Sequence, residues 1–437
     1  MTAALTSGTM SPEILKVVER ARTQPNAKFH ALAYLIDVEA LRRAYQRARK
    51  GASVGVDGVS KEQFGQDLER NLQDLHERLK TNRYRHQPIR RVHIPKGDGK
   101  MRPLGISTFE DKLVQDALRE VLEAVYEQDF LPCSYGFRRG RRAHDAIKSL
   151  MEIANRGEAN WVLEADVTAY FDSVDRSALM EFLRIRIADG SLLRLIGKCL
   201  NVGVLDGEQY LAPETGTTQG SALSPLLGNV YMHYILDTWF EQEVRPRMRG
   251  KAQIIRYADD FIMCFEREED ARRVMLVLGK RLGRFGLTLH PDKTRLVPFL
   301  RPPRSQQGGQ GPGTFDLLVF TIFWRRTLRG RWMMGAKTRS ARLRRSIMAV
   351  YDWCRHHRHL PIKEQHAALV RRIRGHYNYF GVNGNMRCLG HLEHMATKAW
   401  YKWLRRRSQR KHLTWERFAE ILTVYPLPRP HVAVQIW

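Results

Sequence analysis

Two adjacent carboxylates lie between two short apolar segments in the second half of the chain. Asp259 and Asp260 follow residues 252–255 and precede residues 261–265, and both segments are rich in β-branched and aromatic side chains. Such segments are typical of buried strands, so the pattern predicts a hairpin with two carboxylates at its tip. Adjacent carboxylates repel each other, and a divalent cation with oxygen ligands relieves that repulsion. An isolated Asp-Asp pair is also typical of an ordinary turn, so the interpretation depends on the other motifs.

The positive charge of the chain is concentrated in its C-terminal third. The 437 residues carry a net charge of +27, and residues 301–437 alone contain 27 Lys and Arg against 6 Asp and Glu. Seven of the nine tryptophans also lie in this third. Basic residues interleaved with aromatic residues are typical of surfaces that pair with phosphates and stack on bases. The alternative is a helical core with solvated basic faces.

Other features limit the protein class. The length predicts two or three domains, and the 43% hydrophobic content predicts a folded protein. The five cysteines are scattered without a Cys-x-x-Cys pair, so neither a disulfide framework nor a structural zinc site is supported, and a reducing compartment fits. With no leader-like segment and no membrane-length apolar run, we expect a cytoplasmic protein of the bacterial cytosol or nucleoid without membrane contact.

Two motifs before the acidic pair carry polar groups suited to an anionic substrate. Residues 88–106 predict a basic hairpin that presents Lys96 and Arg102, and several cations on one hairpin can bind one phosphate group. Residues 217–225 form a polar turn containing Gln219 and Gly220, followed by an apolar helix expected over 226–244. A glycine-containing turn before a helix can approach an anion or a base, although helix capping alone also explains it.

A third carboxylate, Asp166, ends the strand predicted over residues 161–167. It precedes Asp259 by 93 residues, so only the fold can bring the two together. Beyond residue 325 the periodicity is helical. We predict helices at about 337–357, 363–379, 389–407 and 415–422.

The order of these motifs resembles that of reverse transcriptases, and closely those encoded by bacterial group II introns. The phrases that carry the likeness are Ile94-Pro95-Lys96-Gly97-Asp98-Gly99-Lys100-Met101-Arg102-Pro103-Leu104-Gly105-Ile106, Cys133-Ser134-Tyr135-Gly136-Phe137-Arg138, Gln219-Gly220 with Ser224-Pro225, and Arg256-Tyr257-Ala258-Asp259-Asp260-Phe261. The resemblance is strong over residues 30–325 and continues through 374–380 and 400–415. As a set these motifs are highly specific, whereas no single one is.

The resemblance implies an α+β right-hand polymerase with an antiparallel palm sheet flanked by helices, followed by an all-helical thumb. We expect an N-terminal extension and fingers over residues 1–155, part of which packs with the palm. The palm with its carboxylates is expected over 156–325. A basic thumb or maturase domain X with a short nucleic-acid-binding tail is expected over 326–437.

The resemblance also implies roles for individual residues. Asp166, Asp259 and Asp260 would be catalytic and, together with Val167, would bind two Mg²⁺ ions, for which Mn²⁺ could substitute. Two such ions can stabilise the attacking 3′ oxygen and the leaving pyrophosphate. The residues expected to bind the nucleotide are Lys96, Arg102, Phe171, Gln219 and Gly220, with Phe171 as a gate against the ribose 2′-hydroxyl. Lys293 and Tyr257 are expected on the primer and template side.

In two places the sequence departs from the family pattern, which limits how far the family's properties can be assigned to this chain. Val319 lies in the primer-grip segment where the family usually has Gly, and its branched side chain could crowd a primer. Many relatives also end in a Cys-containing His-Asn-His endonuclease, whereas no such metal spacing occurs here. We therefore expect no DNA-cleaving domain.

The sequence thus predicts an RNA-directed DNA polymerase encoded by a group II intron that also acts as a maturase. The expected partners are the intron RNA, an RNA template with a DNA primer, target DNA and dNTPs; a homodimer remains open. One alternative is an RNA-binding splicing cofactor with little polymerase activity, although three metal-binding acids argue against it. Others are a domesticated reverse transcriptase of the same type and an RNA-templated RNA polymerase.

Overall fold

The structure of the chain is a computed structural model. It describes residues 10–96, 100–207, 209–211, 215–217, 220–303, 313–327, 329–407 and 413–436. Among these residues no helix is long and apolar enough to cross a membrane. Their five cysteines are all unpaired thiols.

Helices dominate the two ends of the chain, and most strands lie between them. The helices are α1 (Pro12–Thr23), α2 (Val38–Arg47), α3 (Lys61–Phe64), α4 (Leu68–Lys80), α5 (Phe109–Asp129), α6 (Ala143–Asn155), α7 (Tyr170–Ser173), α8 (Arg176–Arg186), α9 (Gly190–Leu200), α10 (Ser224–Met232), α11 (Glu268–Gly283), α12 (Ser340–His356), α13 (Ile362–Phe380), α14 (Met386–Arg405) and α15 (Trp415–Val424). The strands are β1 (Ile89–Lys96), β2 (Lys100–Ile106), β3 (Trp161–Ala165), β4 (Val204–Asp206), β5 (Gln209–Leu211), β6 (Ala252–Tyr257), β7 (Asp260–Phe265), β8 (Arg295–Pro298), β9 (Phe315–Leu317), β10 (Phe320–Arg326) and β11 (Trp332–Thr338).

Three sheets organise these strands. Their orders are β2-β1-β4-β5, β6-β7-β3-β8 and β11-β10-β9. The second sheet is antiparallel throughout, with β3 between β7 and β8. This is the antiparallel sheet that the sequence predicts between residues 156 and 325, and the observed α+β architecture agrees with the expected fold class.

The antiparallel sheet is buried on both faces, which separates two cores. Ile254 and Met263 face one core, which also contains apolar residues of α5, α8, α10 and α11. Ile255 and Ile262, one residue along each strand, face the other core, which includes α6, β9 to β11 and the C-terminal helices. Because successive strand side chains alternate between faces, the near-continuous apolar runs on β6 and β7 fit a sheet covered on both sides.

Local sequence signals account for many helix starts. Ser11 accepts a bond from the backbone NH of Ile14, with Pro12 in the first turn. Ser60 and Gln63 form the reciprocal capping box expected from their spacing. The following helix is interrupted, since a short 3₁₀ turn at Gly65–Asp67 separates α3 from α4.

Two regions differ from expectation. The apolar helix predicted over 226–244 starts as α10, but π-type turns follow at His233–Asp237 and Phe240–Val244. The segment assigned to an all-helical thumb begins with strand β11, which pairs with β10. Its helices follow as α12 to α15. The division at residues 155 and 325 remains our proposal for the domain boundaries.

Asp189 connects the N-terminal segment to α9. One carboxylate oxygen accepts bonds from the backbone NH groups of Leu32 and Ala33, at 2.7 and 2.8 Å. The other accepts from Ser191 and Leu192 at the start of α9. Burial opposes ionisation of this carboxyl group, but the four backbone donors outweigh it and lower the pKa of Asp189.

We predict that Asp189→Asn lowers the free energy of unfolding by about 2–3 kcal/mol at pH 7, because an amide group cannot accept all four bonds. Since the folded-state pKa is lowered, the stabilisation is complete above the ordinary aspartate pKa of about 4 and is lost as the pH falls through the lower folded value. Denaturant titrations of both proteins between pH 3 and 7 measure this difference. A difference that does not shrink in acid would contradict the assignment. The control is Asp175→Asn, where the asparagine Oδ1 can still accept the single capping bond from the backbone NH of Ala178, so little stability should be lost.

Candidate active site

Strand pairing brings three carboxylates to the same end of the palm-like sheet. Ala165 at the end of β3 pairs with Phe261 on β7, so Asp166 and Asp260 are the next residues on adjacent strands. Asp259 precedes Asp260 in the turn that joins β6 to β7, where Tyr257 pairs with Asp260. The 93-residue separation between Asp166 and Asp259 is therefore closed by the antiparallel register.

Carboxyl groups of the cluster raise the pKa values of Asp259 and Asp260. Desolvation by neighbouring protein atoms, and then the negative charges of Asp259 and Asp166, raise the pKa of Asp260 to about 6. The pKa of Asp259 is also raised, by desolvation and by Asp166, while Arg102 and Arg256 act in the opposite direction. A cluster of this kind stores repulsion that a bound cation would relieve.

Lys293 provides a positive charge at this cluster. Its Nζ lies 2.6 Å from Oδ2 of Asp166 and forms an ion pair with it. The segment that carries Lys293 is held against β3, because the backbone NH of His290 donates to the carbonyl of Asp166 at 2.8 Å. The sequence-based expectation placed Lys293 near the primer; the structure places its ammonium group on a carboxylate of the acidic cluster.

The acidic cluster offers the hard oxygen ligands that Mg²⁺ prefers, but it is not a complete metal cage. Among the described residues, no group of three or more His, Cys, Asp or Glu side chains is arranged to hold a metal by itself. A bound Mg²⁺ ion commonly takes only one or two carboxylates together with substrate phosphates. Val167 has a hydrocarbon side chain, so only its backbone carbonyl could contribute a ligand.

Several elements expected to contact the nucleotide meet beside the carboxylates. Desolvation raises the pKa of Asp259 and of Asp172, and the charge of Arg102, exposed on β2, partly offsets this rise in both, so its charge reaches the cluster. Phe171 is half-buried on α7, and its carbonyl accepts a 2.6 Å bond from the backbone NH of Thr217. Gly220 has a φ of 110°, and a Cβ there would lie 2.4 Å from the carbonyl oxygen of Gly105 on β2. Only glycine permits this approach of the turn to the basic hairpin.

Two of the expected nucleotide ligands cannot be located. Gln219 lies outside the described residues, and of Lys96 only the backbone, at the end of β1, is described.

Val319 lies in a strained turn. Leu318 and Val319 connect β9 to β10 with φ values of 51° and 66°, the two positive angles of a type I′ hairpin turn. Val319 is 41% exposed and borders a cavity of about 690 Å³ that Tyr379 and Arg342 also line. A β-branched residue is disfavoured at positive φ, which gives a backbone reason for glycine at this position.

A buried arginine beneath the acidic turn was not given a role from the sequence. The Arg256 side chain is fully buried and forms a bidentate ion pair with Asp237, with nitrogen–oxygen distances of 2.7 and 2.6 Å. It also donates to the side-chain oxygens of Asn229 and Ser134, at 2.9 and 2.8 Å. Asp237 is the last residue of the first π-type turn after α10.

The same arginine holds the backbone of the acidic turn. Arg256 Nη1 donates to the carbonyl of Ala258 at 2.9 Å, and Ala258 has a φ of 60°, which is strained for a residue with a Cβ. Gly136 packs against this turn so closely that a Cβ would lie 2.3 Å from the nitrogen of Ala258. An arginine inside an apolar strand and an aspartate inside an apolar helix were the available sequence signals for this network.

Comparison with known proteins identifies the family. The reverse transcriptase (RNA-dependent DNA polymerase) family matches residues 94–322, more than half of the chain. This chain belongs to that family. It is therefore an RNA-directed DNA polymerase, a class of enzyme that uses divalent metal ions and binds nucleic acid.

Known relatives show how far the likeness extends. This reverse transcriptase is 33% identical to protein YkfC of Escherichia coli over 323 residues, 64% of this chain and 83% of YkfC. It is 34% identical to the group II intron-encoded protein LtrA of Lactococcus lactis over 279 residues, 61% of this chain but only 46% of LtrA. Nuclear intron maturase 1 of Arabidopsis thaliana is 30% identical over 128 residues, 28% of this chain and 18% of that protein.

We predict that Arg256→Met destabilises this reverse transcriptase by about 3–5 kcal/mol, because Asp237 would be left as an unpaired buried charge. The double variant Arg256→Met/Asp237→Leu should recover much of that stability without restoring the hydrogen bond to Ala258. Primer extension should therefore remain low in the double variant while its unfolding midpoint rises above that of Arg256→Met. Recovery of full extension by the double variant would show that the pair stabilises the fold without positioning the acidic turn.

We predict that Val319→Gly raises the free energy of unfolding by about 1 kcal/mol, since relief of positive-φ strain exceeds the added chain entropy. It should also lengthen primer-extension products, because it removes a branched side chain from the turn where the resemblance places the primer grip. Val319→Ala, which keeps a Cβ at the same φ, is the control and should leave the strain in place. Denaturant midpoints and product lengths measure both effects, and a less stable glycine variant would contradict the interpretation.

Proposed function

We propose that this reverse transcriptase is encoded by a group II intron, copies RNA into DNA through a two-metal site at Asp166, Asp259 and Asp260, and also binds its intron RNA as a maturase. The observation that carries the polymerase site is the convergence of these three carboxylates at one end of an antiparallel sheet, beside an arginine whose charge reaches them.

In this proposal each residue near the cluster has a physical task. Two Mg²⁺ ions, when bound, would stabilise the negative charge on the attacking and leaving oxygens. Asp166 and Asp259 provide ligands, and Asp260 and the carbonyl of Val167 complete the polar environment. Arg102 neutralises the triphosphate, the turn at Gly220 lies against the nucleotide, and Phe171 stands against the ribose 2′ position. Positioning and charge neutralisation then supply most of the rate enhancement.

Lys293 has a role that depends on the state of the site. Its ion pair with Asp166 compensates the negative cluster in the free protein. Because Lys293 is 59% exposed, its side chain can leave the carboxylate and pair with a primer phosphate when substrate binds. Tyr257, half-buried beside the acidic turn, is proposed to contact the primer or template.

Two observations support the intron-related part of the proposal. The residues beyond 301 carry a strong positive excess, and LtrA, whose name describes a group II intron-encoded protein, matches 61% of this chain. Because the chain covers less than half of LtrA, the intron RNA, the RNA template with its DNA primer, target DNA and any homodimer are proposed partners. Binding to structured RNA through phosphates would weaken steeply with salt.

We predict that Asp259→Asn reduces primer extension on an RNA template by about a hundredfold or more, because a metal ligand and its charge are lost. Addition of Mg²⁺ should raise the unfolding temperature of the native protein but much less that of the variant, which measures the metal site without activity. RNA affinity in Mg²⁺-free buffer should be unchanged. Asp352→Asn, on the exposed face of α12, is the control for loss of one carboxylate.

Two results would overturn parts of this proposal. Equal Mg²⁺ stabilisation of both proteins would exclude Asp259 as a ligand. Tight binding of structured RNA by a native protein that extends no primer would favour the splicing-cofactor alternative.

A further inference from the structure

A basic cavity lies on a part of the molecule that contains none of the acidic-cluster residues. Its volume is about 860 Å³, and it is formed by α8, α9, β5 and the segment before β1. Four cationic side chains line it, with no Asp or Glu in the lining: Arg85, Arg184, Arg194 and Lys198. The first 300 residues contain nearly equal numbers of basic and acidic side chains. A cavity in this part that is lined by cationic side chains without a carboxylate is therefore unexpected.

The three arginines of this cavity are available to a ligand. Arg85, Arg184 and Arg194 are exposed, and none forms a hydrogen bond or an ion pair with a described residue. Lys198 is different, since its Nζ donates to the carbonyls of Asn82 and Tyr84, at 3.1 and 2.7 Å. Lys198 therefore fixes the segment that presents Arg85.

A glycine in the middle of α9 leaves the cavity open. Gly197 lines the cavity, and a Cβ added there would meet no atom within 4 Å. Its φ is also not in the positive region where glycine is required. Glycine is a poor helix former, so neither the helix nor the packing of the protein accounts for it. What its missing side chain provides is space inside the cavity.

Each of the two cavities around Arg194 contains an exposed tyrosine. Tyr210, 62% exposed, borders the larger cavity, and its ring lies so close to Gly203 that a Cβ there would be 2.2 Å from it. A neighbouring cavity of about 460 Å³ is also lined by Arg194 and Lys198, by Tyr34, which is 63% exposed, and by Asp37, whose carboxylate caps α2. We name these two cavities, which share Arg194 and Lys198, the α9 groove.

We propose that the α9 groove binds a single-stranded nucleic acid segment outside the polymerase cleft. Its arginines would pair with successive phosphates, and Tyr34 and Tyr210 would stack on bases at the two ends. A cationic track with aromatic platforms is the physical arrangement that binds single strands without reading sequence. This site is independent of the metal-site proposal, because it shares no residue with it.

The test measures binding of fluorescent 12-nucleotide oligouridylate and oligothymidylate by anisotropy. The polymerase cleft is first saturated with a blunt hairpin template–primer, so that the probes report on the remaining surface. We expect Gly197→Glu to weaken binding about tenfold, because it puts bulk and negative charge into the groove. Gly279→Glu is the matched control, since Gly279 is an exposed glycine inside α11 whose Cβ would meet only one atom, at 3.9 Å.

A second pair of variants separates the two parts of the groove. Tyr34→Ala/Tyr210→Ala should also weaken binding about tenfold, whereas Gly197→Gln should fall between the native protein and Gly197→Glu. All variants should extend a primer normally on a template with a short overhang, which shows that they are folded. Equal probe affinity of Gly197→Glu and Gly279→Glu would overturn the proposal. Tighter binding of oligouridylate than of oligothymidylate would identify the ligand as RNA, and equal binding as either nucleic acid.

Discussion

The ion pair between Arg256 and Asp237 is the interaction on which the geometry of the acidic turn depends. Both side chains are fully buried, so each would be very unfavourable without the other. The guanidinium group also bonds to Asn229, Ser134 and the carbonyl of Ala258, which satisfies it in several directions. One group thereby connects the helix after α10, the loop before α6 and the tip of the β6–β7 hairpin. This anchoring explains how a strained alanine can persist in the turn that carries two carboxylates.

Electrostatic repulsion opposes the close approach of the three carboxylates in the acidic cluster. Three negative charges at the end of one sheet favour separation, and desolvation raises the pKa of two of them. The paired strands hold them together through backbone hydrogen bonds that do not depend on charge. Arg102 and Lys293 compensate from two different elements, one on the basic hairpin and one on the segment after α11. Because the strands hold the carboxylates together despite their mutual repulsion, a bound cation would stabilise the folded protein.

The sequence predicted the parts of the fold that local patterns encode. The hairpin at Asp259, the strand ending near Asp166 and the capping box at Ser60 all follow from residue type and spacing. The Arg256–Asp237 pair could not be predicted in this way, because its partners are 19 residues apart and meet through a π-type turn. Strand β11 was not predicted either. Its pairing with β10, rather than the periodicity of its own residues, makes this segment a strand. The family pattern showed that Val319 replaces a usual glycine. The strain of this replacement could be recognised only from the structure, where the φ of Val319 is positive.

The small net charge of the first 300 residues does not show where their charges lie. Positive and negative side chains are unevenly distributed over the surface of this part, because many of the acids are engaged in specific contacts. Glu120 and Asp116 on α5 pair with arginines of α2. Acids whose charge is matched by arginines in this way contribute little to neutralising the surface around α9. A nearly neutral region can therefore present a strongly cationic groove, and the location of unpaired charge, rather than its sum, determines where a polyanion can bind.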